Sequence, residues 1–214
     1  LRRINESSIE GLADFLEELS LPAHKLDFLP KSFSTLSLLT VLRLDQNRLR
    51  WSAEDSPSFE SLTRLRLLSV TYNHLTALPP TITSCTALET LLCSGNEIEA
   101  LPKHIGKCKA LRVLDVSSNR ITAIEKHADL QKLTKLERLH IDHNGLAKID
   151  KSCGLPASLT VLSLNGSPLA KGLPPSISSL QRLVSLKASH CFSKAHSRLR
   201  QGKAVPSVSA PTKA

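Results

Sequence analysis

The sequence predicts an α/β solenoid, a horseshoe with a short parallel β-sheet on its concave face. It should hold about eight repeats, with mostly loop, 3-10 and short-helix segments on the convex face. Three observations predict this. One frame recurs along most of the chain, leucine fills its apolar positions, and aromatic rings are scarce. The frame is clearest in Leu111-Arg-Val-Leu114-Asp-Val116-Ser-Ser-Asn119-Arg-Ile121, an LxxLxLxxNxL pattern. Of the 214 residues 41% are hydrophobic but only 3% aromatic; a core made by stacking one thin layer many times needs few rings.

In chain order, residues 1–15 precede the frame and form an N-terminal capping segment. Residues 16–191 form the repeat array. The first copy reads Leu16, Leu19, Leu21, His24, Leu26, and the second Leu39, Leu42, Leu44, Asn47, Leu49. Leu65, Leu68, Val70, Asn73, Leu75 and Leu88, Leu91, Cys93, Asn96, Ile98 follow, then the copy at 111–121. The sixth is Leu136, Leu139, Ile141, Asn144, Leu146. Two degenerate copies close the array, Leu159, Leu162, Leu164, Ser167, Leu169 and Leu183, Leu186, Ala188, Cys191. The asparagine position thus falls at 24, 47, 73, 96, 119, 144, 167 and 191, in steps of 23 to 26 residues.

The frame has a physical logic. A strand alternates its side chains, so in LxL both leucines point inward and the residue between them points out. Each buried leucine contributes roughly 1.5–3 kcal/mol. Where the strand turns away, backbone groups lose their sheet partners, and a buried Asn amide supplies both a donor and an acceptor there. Asn47, Asn73, Asn96, Asn119 and Asn144 form this expected structural ladder. His24, Ser167 and Cys191 replace it only in outer repeats, which have fewer neighbours to satisfy.

These eight copies resemble the leucine-rich-repeat superfamily over about residues 9–191. Between strands the chain often reads LPxxI, as in Leu78-Pro79…Ile82, Leu101-Pro102…Ile105 and Leu173-Pro174…Ile177, with Leu29-Pro30…Phe33 as a variant. That is similar to the intracellular, Ras-group-like repeats of signalling scaffolds. The stretches 49–65 and 121–136 lack the LP, and 146–159 lacks it at this place in the frame. The resemblance implies a non-catalytic scaffold that mediates protein–protein interaction.

Chemistry-bearing residues fit the same frame. Cys85, Cys108 and Cys153 fall in a convex core row, Cys93 replaces a strand leucine and Cys191 sits in the ladder. None lies in the paired-cysteine caps of extracellular relatives, so reduced cysteines and an intracellular setting are expected. His140, Asp142 and His143 cluster at one strand, where they form part of a polar binding face or, alternatively, metal ligands; no HExxH or CxxC supports the metal. No phosphate-cradling glycine loop and no GxSxG elbow occur. The expectation is no enzyme, no cofactor, no metal and no small-molecule substrate.

Outward strand residues line the concave face and are the candidate protein-binding surface. They are Arg43, Asp45, Gln46, Ser69, Tyr72, Leu92, Asp115, Arg138, His140, Asp142, His143 and Lys187. Basic residues among them are too dispersed for a nucleic-acid groove. The 26-residue step holds the only Trp, Trp51, which either covers the core edge of a longer loop or serves as an interface anchor.

The net charge is +9, and the segment 192–214 holds +5 of it through Lys194, Arg198, Arg200, Lys203 and Lys213. This basic, low-complexity tail cannot build a core and suits RNA or an acidic partner. It supports an alternative function, a structural subunit of a large assembly such as a mitochondrial ribosome or another ribonucleoprotein. No apolar run reaches the roughly 18 residues that cross a bilayer, so no membrane partner is expected. The chain starts at Leu1 and contains no Met, as expected of a fragment or a processed form. A cytoplasmic or mitochondrial location follows from these readings.

Overall fold

The computed structural model describes residues 4–149, 154–169, 172–173 and 175–191. Eight three-residue strands form one parallel sheet. They are β1 (Glu18–Ser20), β2 (Val41–Arg43), β3 (Leu67–Ser69), β4 (Thr90–Leu92), β5 (Val113–Asp115), β7 (Arg138–His140), β9 (Val161–Ser163) and β10 (Ser185–Lys187). They stack in chain order, each pairing with the next copy. The register is uniform: Leu19, Leu42, Leu68, Leu91, Leu114, Leu139, Leu162 and Leu186 face one another along the sheet. Equal strand phase is what an inward leucine at one fixed position of the frame imposes, because a one-residue slip would turn every leucine outward.

The return segments run through short 3-10 turns, at Lys31–Thr35, Pro80–Ser84, Ile105–Lys107, Lys126–Ala128, Leu130–Lys132 and Pro175–Ser179. Pro80 opens one of them, where its fixed φ suits a first turn. A second, two-stranded sheet lies on the return side, pairing β6 (Ala123–Ile124) with β8 (Lys148–Ile149). Both strands fall in return stretches without an LP pair at the usual place in the repeat. At the N-terminal end the short helix α1 (Glu6–Glu10) buries Ile9. Glu6 accepts hydrogen bonds from the backbone N–H groups of Lys31 (3.0 Å) and Ser32 (2.8 Å), which fastens α1 to the first return segment.

One continuous core runs between sheet and returns. Two rows of strand residues, such as Leu91 with Cys93 and Leu114 with Val116, meet convex residues such as Ile82, Cys85 and Leu88, all fully buried. Phe33, Phe59 and Trp51 are the large rings of that core; Trp51 stands edge-on to Phe59 with ring centroids 5.6 Å apart.

The five ladder asparagines repeat one geometry. Asn96 Oδ1 accepts from the Leu75 N–H (3.1 Å), while its Nδ2 donates to the carbonyls of Val70 (2.9 Å) and Cys93 (3.0 Å). Asn119 treats Ile98, Cys93 and Val116 in the same way, and Asn144 treats Ile121, Val116 and Ile141. Asn73 does so with Leu49, Leu44 and Val70, and Asn47 with Leu26, Leu21 and Leu44. Each amide therefore joins its own turn to the turn of the preceding repeat. Where the amide is absent, Ser167 Oγ donates to the Ile141 carbonyl (3.3 Å) and Cys191 Sγ to that of Leu164 (2.8 Å), leaving the acceptor role unfilled by these side chains.

Replacing Asn96 by Ala should lower the unfolding free energy by about 1–3 kcal/mol, because a buried N–H and two carbonyls lose their partner. Urea denaturation followed by circular dichroism measures this, and Ser167→Ala, with one bond to lose, should cost clearly less.

Candidate protein-binding face

Along each turn, the residue before the ladder position takes the left-handed conformation. Ala23, Gln46, Tyr72, Gly95, Ser118, His143, Gly166 and His190 all have φ between 52° and 70°. This step redirects the chain from the strand into the ladder, and its side chain points to the rim of the sheet's outer face. Two glycines there have a second reason to be glycine. A Cβ on Gly95 would lie 2.6 Å from Cδ1 of Tyr72, and one on Gly166 would lie 2.7 Å from Nδ1 of His143. The Tyr72 ring thus rests on the Gly95 backbone, and the His143 ring on that of Gly166.

Several concave residues are committed inside the chain. Asp45 Oδ1 accepts from the Ser69 hydroxyl and from both the N–H (2.9 Å) and hydroxyl (2.7 Å) of Thr71. Asp142 repeats the device four repeats further on, accepting from Ser163 Oγ (2.6 Å) and the Asn165 N–H (2.7 Å). Asn165 Oδ1 in turn accepts from the Ser189 N–H (2.9 Å). These bonds make a second, interrupted polar ladder on the outer face, which the repeat frame alone does not reveal. Ser69 is buried beneath it and offers a partner nothing. Asp115 is less engaged, with one bond from the Ser117 N–H (2.9 Å).

What remains open to a partner is a mixed surface. Arg43, Gln46, Tyr72, Arg138, His143 and Lys187 are exposed, while Leu92, Asp115 and His140 are half-buried. Among the described residues Tyr72 is the one exposed aromatic on this face, at 63%. His140 Nδ1 stands 4.0 Å from the Asp142 carboxylate. Among the described residues no three metal-ligating side chains converge.

Trp51 is 3% exposed and packs edge-on against Phe59 in the core, the place of a residue that covers the core edge of the longer loop and not of an exposed interface anchor. Cys85, Cys93, Cys108 and Cys191 are buried free thiols; Cys85 and Cys108 lie in the same row, their Sγ atoms toward the carbonyls of Phe59 (3.8 Å) and Ile82 (3.4 Å). Cys153 and the tail cations Lys194, Arg198, Arg200, Lys203 and Lys213 lie outside the described residues. Among the described residues no helix is long and apolar enough to cross a membrane.

Strands of one register, steps of 23 to 26 residues and an amide at five successive turns define a repeat solenoid of stacked parallel strands. Comparison with known proteins names the class. A family model described as Leucine rich repeat matches residues 86–146, and another, Leucine Rich Repeat, matches residues 158–180. A leucine-rich-repeat protein of Leptospira interrogans superposes with a TM-score of 0.66 at 24% identity, over 89% of this chain and 58% of that one. The TLR13–ssRNA13 complex gives a TM-score of 0.72 at 26% identity, over 86% and 26%. The ectodomain of the Arabidopsis thaliana receptor kinase GASSHO1/SCHENGEN3, in complex with CASPARIAN STRIP INTEGRITY FACTOR 2, gives 0.71 at 27% identity, over 87% and 22%. The chain therefore spans between about a fifth and three fifths of the solved proteins it matches. The comparison with curated proteins found no match. The chain thus carries leucine-rich repeats matched over residues 86–146 and 158–180, and its fold is that of solved leucine-rich-repeat proteins.

Burial pushes the Cys85 thiol up to about 12 and the Cys108 thiol up to about 11. Unfolded, both would ionise near 9, so above that pH the unfolded chain releases protons that the folded chain keeps. Stability should be unaffected by these thiols below pH 9 and fall as pH rises from 9 toward 11–12, by about 1.4 kcal/mol per thiol per pH unit. Thermal melts of wild type and of a Cys85→Ala, Cys108→Ala double variant from neutral to alkaline pH measure it; the variant's decline should be the shallower.

Proposed function

We propose that this chain is a non-catalytic interaction scaffold that holds a protein partner on the outer face of its eight-stranded sheet. One observation carries the reading: Tyr72 presents an exposed ring that is held in place by the Gly95 backbone beneath it. A rigid, exposed aromatic loses little conformational freedom on binding and is the kind of residue that dominates interface energies. Arg43 and Gln46 lie one repeat before it and Leu92 and Asp115 in the two strands after it, which gives the ring a polar and apolar surround. The braces from Asp45 and Asp142 keep the strands beneath in fixed geometry, so that the surface is formed before the partner arrives. The solved neighbours include one in complex with CASPARIAN STRIP INTEGRITY FACTOR 2 and one in complex with ssRNA13, and both support binding as the use of the fold.

The alternative, a structural subunit of a ribonucleoprotein assembly, rests on the +5 charge of residues 192–214. It places the RNA contact on the tail and leaves the sheet face to protein.

The test is affinity purification of the tagged chain from native tissue, with Tyr72→Ala and Asp115→Arg variants beside wild type and each variant's fold checked by circular dichroism. A partner retained by wild type and lost from both folded variants is the expected result. Retention by both would exclude this face as the site. Loss on deleting 192–214 with retention by both face variants would favour the assembly reading.

A further inference from the structure

Lysine is distributed unevenly along the array. Between residues 32 and 102 there is none, whereas residues 103–148 contain seven. Six of these, Lys103, Lys107, Lys109, Lys126, Lys132 and Lys148, fall on the return side, and all are exposed. The fold brings them together although they belong to three consecutive returns. The His104 N–H donates to the His127 carbonyl (2.7 Å), the 3-10 turns at Ile105–Lys107 and Leu130–Lys132 touch, and the β6–β8 pairing sets Lys148 beside the segment that holds Lys126. Lys126 and Lys148 line one recess of about 440 Å³ together with Glu125, His127 and Asp129.

The acids of this surface are already engaged. Asp129 lies 2.9 Å from His104 Nδ1 and 3.1 Å from Lys132 Nζ, and Glu125 lies 3.0 Å from His127 Nδ1. Among the described residues, Lys103, Lys107, Lys109, Lys126 and Lys148 make no ion pair within 4.0 Å. The return surface two repeats earlier has the opposite character, with Glu54, Asp55 and Glu60 exposed.

We infer that the return face over residues 103–148 is a docking surface for the phosphodiester backbone of a nucleic-acid duplex. The choice of partner follows from what accompanies the charge. The exposed large apolar residues among those described are Phe15, Phe28, Tyr72, Val184 and Leu186, and none lies within 103–148. A protein interface needs an apolar or aromatic anchor at its centre, a membrane-surface site needs apolar side chains to insert, and single-stranded bases need rings to stack on. A duplex backbone needs only cations spaced over a broad surface, and lysine, a compact point charge, meets that need without bidentate geometry. These lysines belong neither to the sheet strands nor to residues 192–214.

The experiment uses the full chain and fluorescently labelled duplexes of about 20 base pairs, one RNA and one DNA, titrated between about 50 and 200 mM salt. Wild type is compared with a variant carrying Lys103→Gln, Lys107→Gln, Lys126→Gln and Lys148→Gln. A control removes the same charge elsewhere through Lys25→Gln, Lys31→Gln, Arg48→Gln and Arg64→Gln. All eight positions are exposed, and circular dichroism confirms that each variant is folded. The expected result is binding by wild type that weakens steeply with salt. The patch variant should bind at least about tenfold more weakly at low salt, with a salt slope shallower by about 3 to 4; the control should stay near wild type. Equal loss in patch and control variants would reduce the effect to net charge and overturn the site. Absence of duplex binding by wild type at low salt, with binding to phosphatidylserine vesicles or to polyglutamate instead, would overturn the partner. Loss only on removing residues 192–214 would assign the contact to the tail and overturn the proposal.

Discussion

A three-residue strand makes too few hydrogen bonds to fix its own position, so something else must hold each repeat in phase with the next. The asparagine amide does this. At the turn that ends each strand, the carbonyls of the strand and of the strand before it face inward with no sheet partner, and so does an N–H two residues past the preceding ladder position. One planar amide meets all of them at about 3 Å. Neither a hydroxyl nor a thiol offers two donors and an acceptor in that geometry. The left-handed residue just before it is a consequence: the chain must reverse its curl to bring the amide under its own strand, and eight residues of six different types accept φ near 55–70° to do so. Non-glycine residues in that region carry a cost, which the buried amide's bonds offset.

The weakening of the ladder toward the C-terminal repeats fits this dependence. Ser167 and Cys191 each donate one bond to the preceding repeat, where Asn donates one and accepts one across it and donates again within its own turn. In the same direction the core opens, with Leu186 exposed by 41% although it stands at the inward position of its strand, and Val184 by 87%. Because each repeat contacts only its neighbours, stability is a sum of local terms and a weak layer does not compromise a distant one. The central repeats, with five amides in succession, therefore carry the rigid part of the sheet, and Tyr72 sits within it.

The frame made the strand centres, the inward rows and the ladder legible in the sequence, since all three depend on spacing within one repeat. It said nothing about bonds between repeats. Asp45 and Ser69, 24 residues apart, read as two independent surface residues, yet one braces the other. Asp142 and Ser163 behave likewise. The signal that could have found them is the pairing of an acid at one outward position with Ser or Thr at the next repeat's neighbouring positions. Trp51 was ambiguous for a related reason: the residues that bury it, Phe59 among them, belong to the irregular step of the array, where spacing carries no information about depth. The Tyr72–Gly95 contact was hidden too, because a glycine at the left-handed step is explained by φ alone and the ring above it is a neighbour in space only.

The two faces meet partners under different constraints. On the sheet face, side chains emerge from a surface whose register is fixed by every neighbouring repeat, so its few free residues hold defined positions and favour shape-specific recognition. The return face is built from turns whose length varies, and the stretch between 121 and 136 holds two 3-10 turns and one strand of the return-side pair. Such a surface presents charge over a broad area without a fixed lattice of anchors. It suits a partner recognised by its field more than by its shape. The buried leucine rows separate the two surfaces, and among the described residues no charged one is buried between them. Substitutions on one face should therefore add to, and not alter, the effect of substitutions on the other. A solenoid that exposes both surfaces can hold a protein on one and a polyanion on the other at the same time.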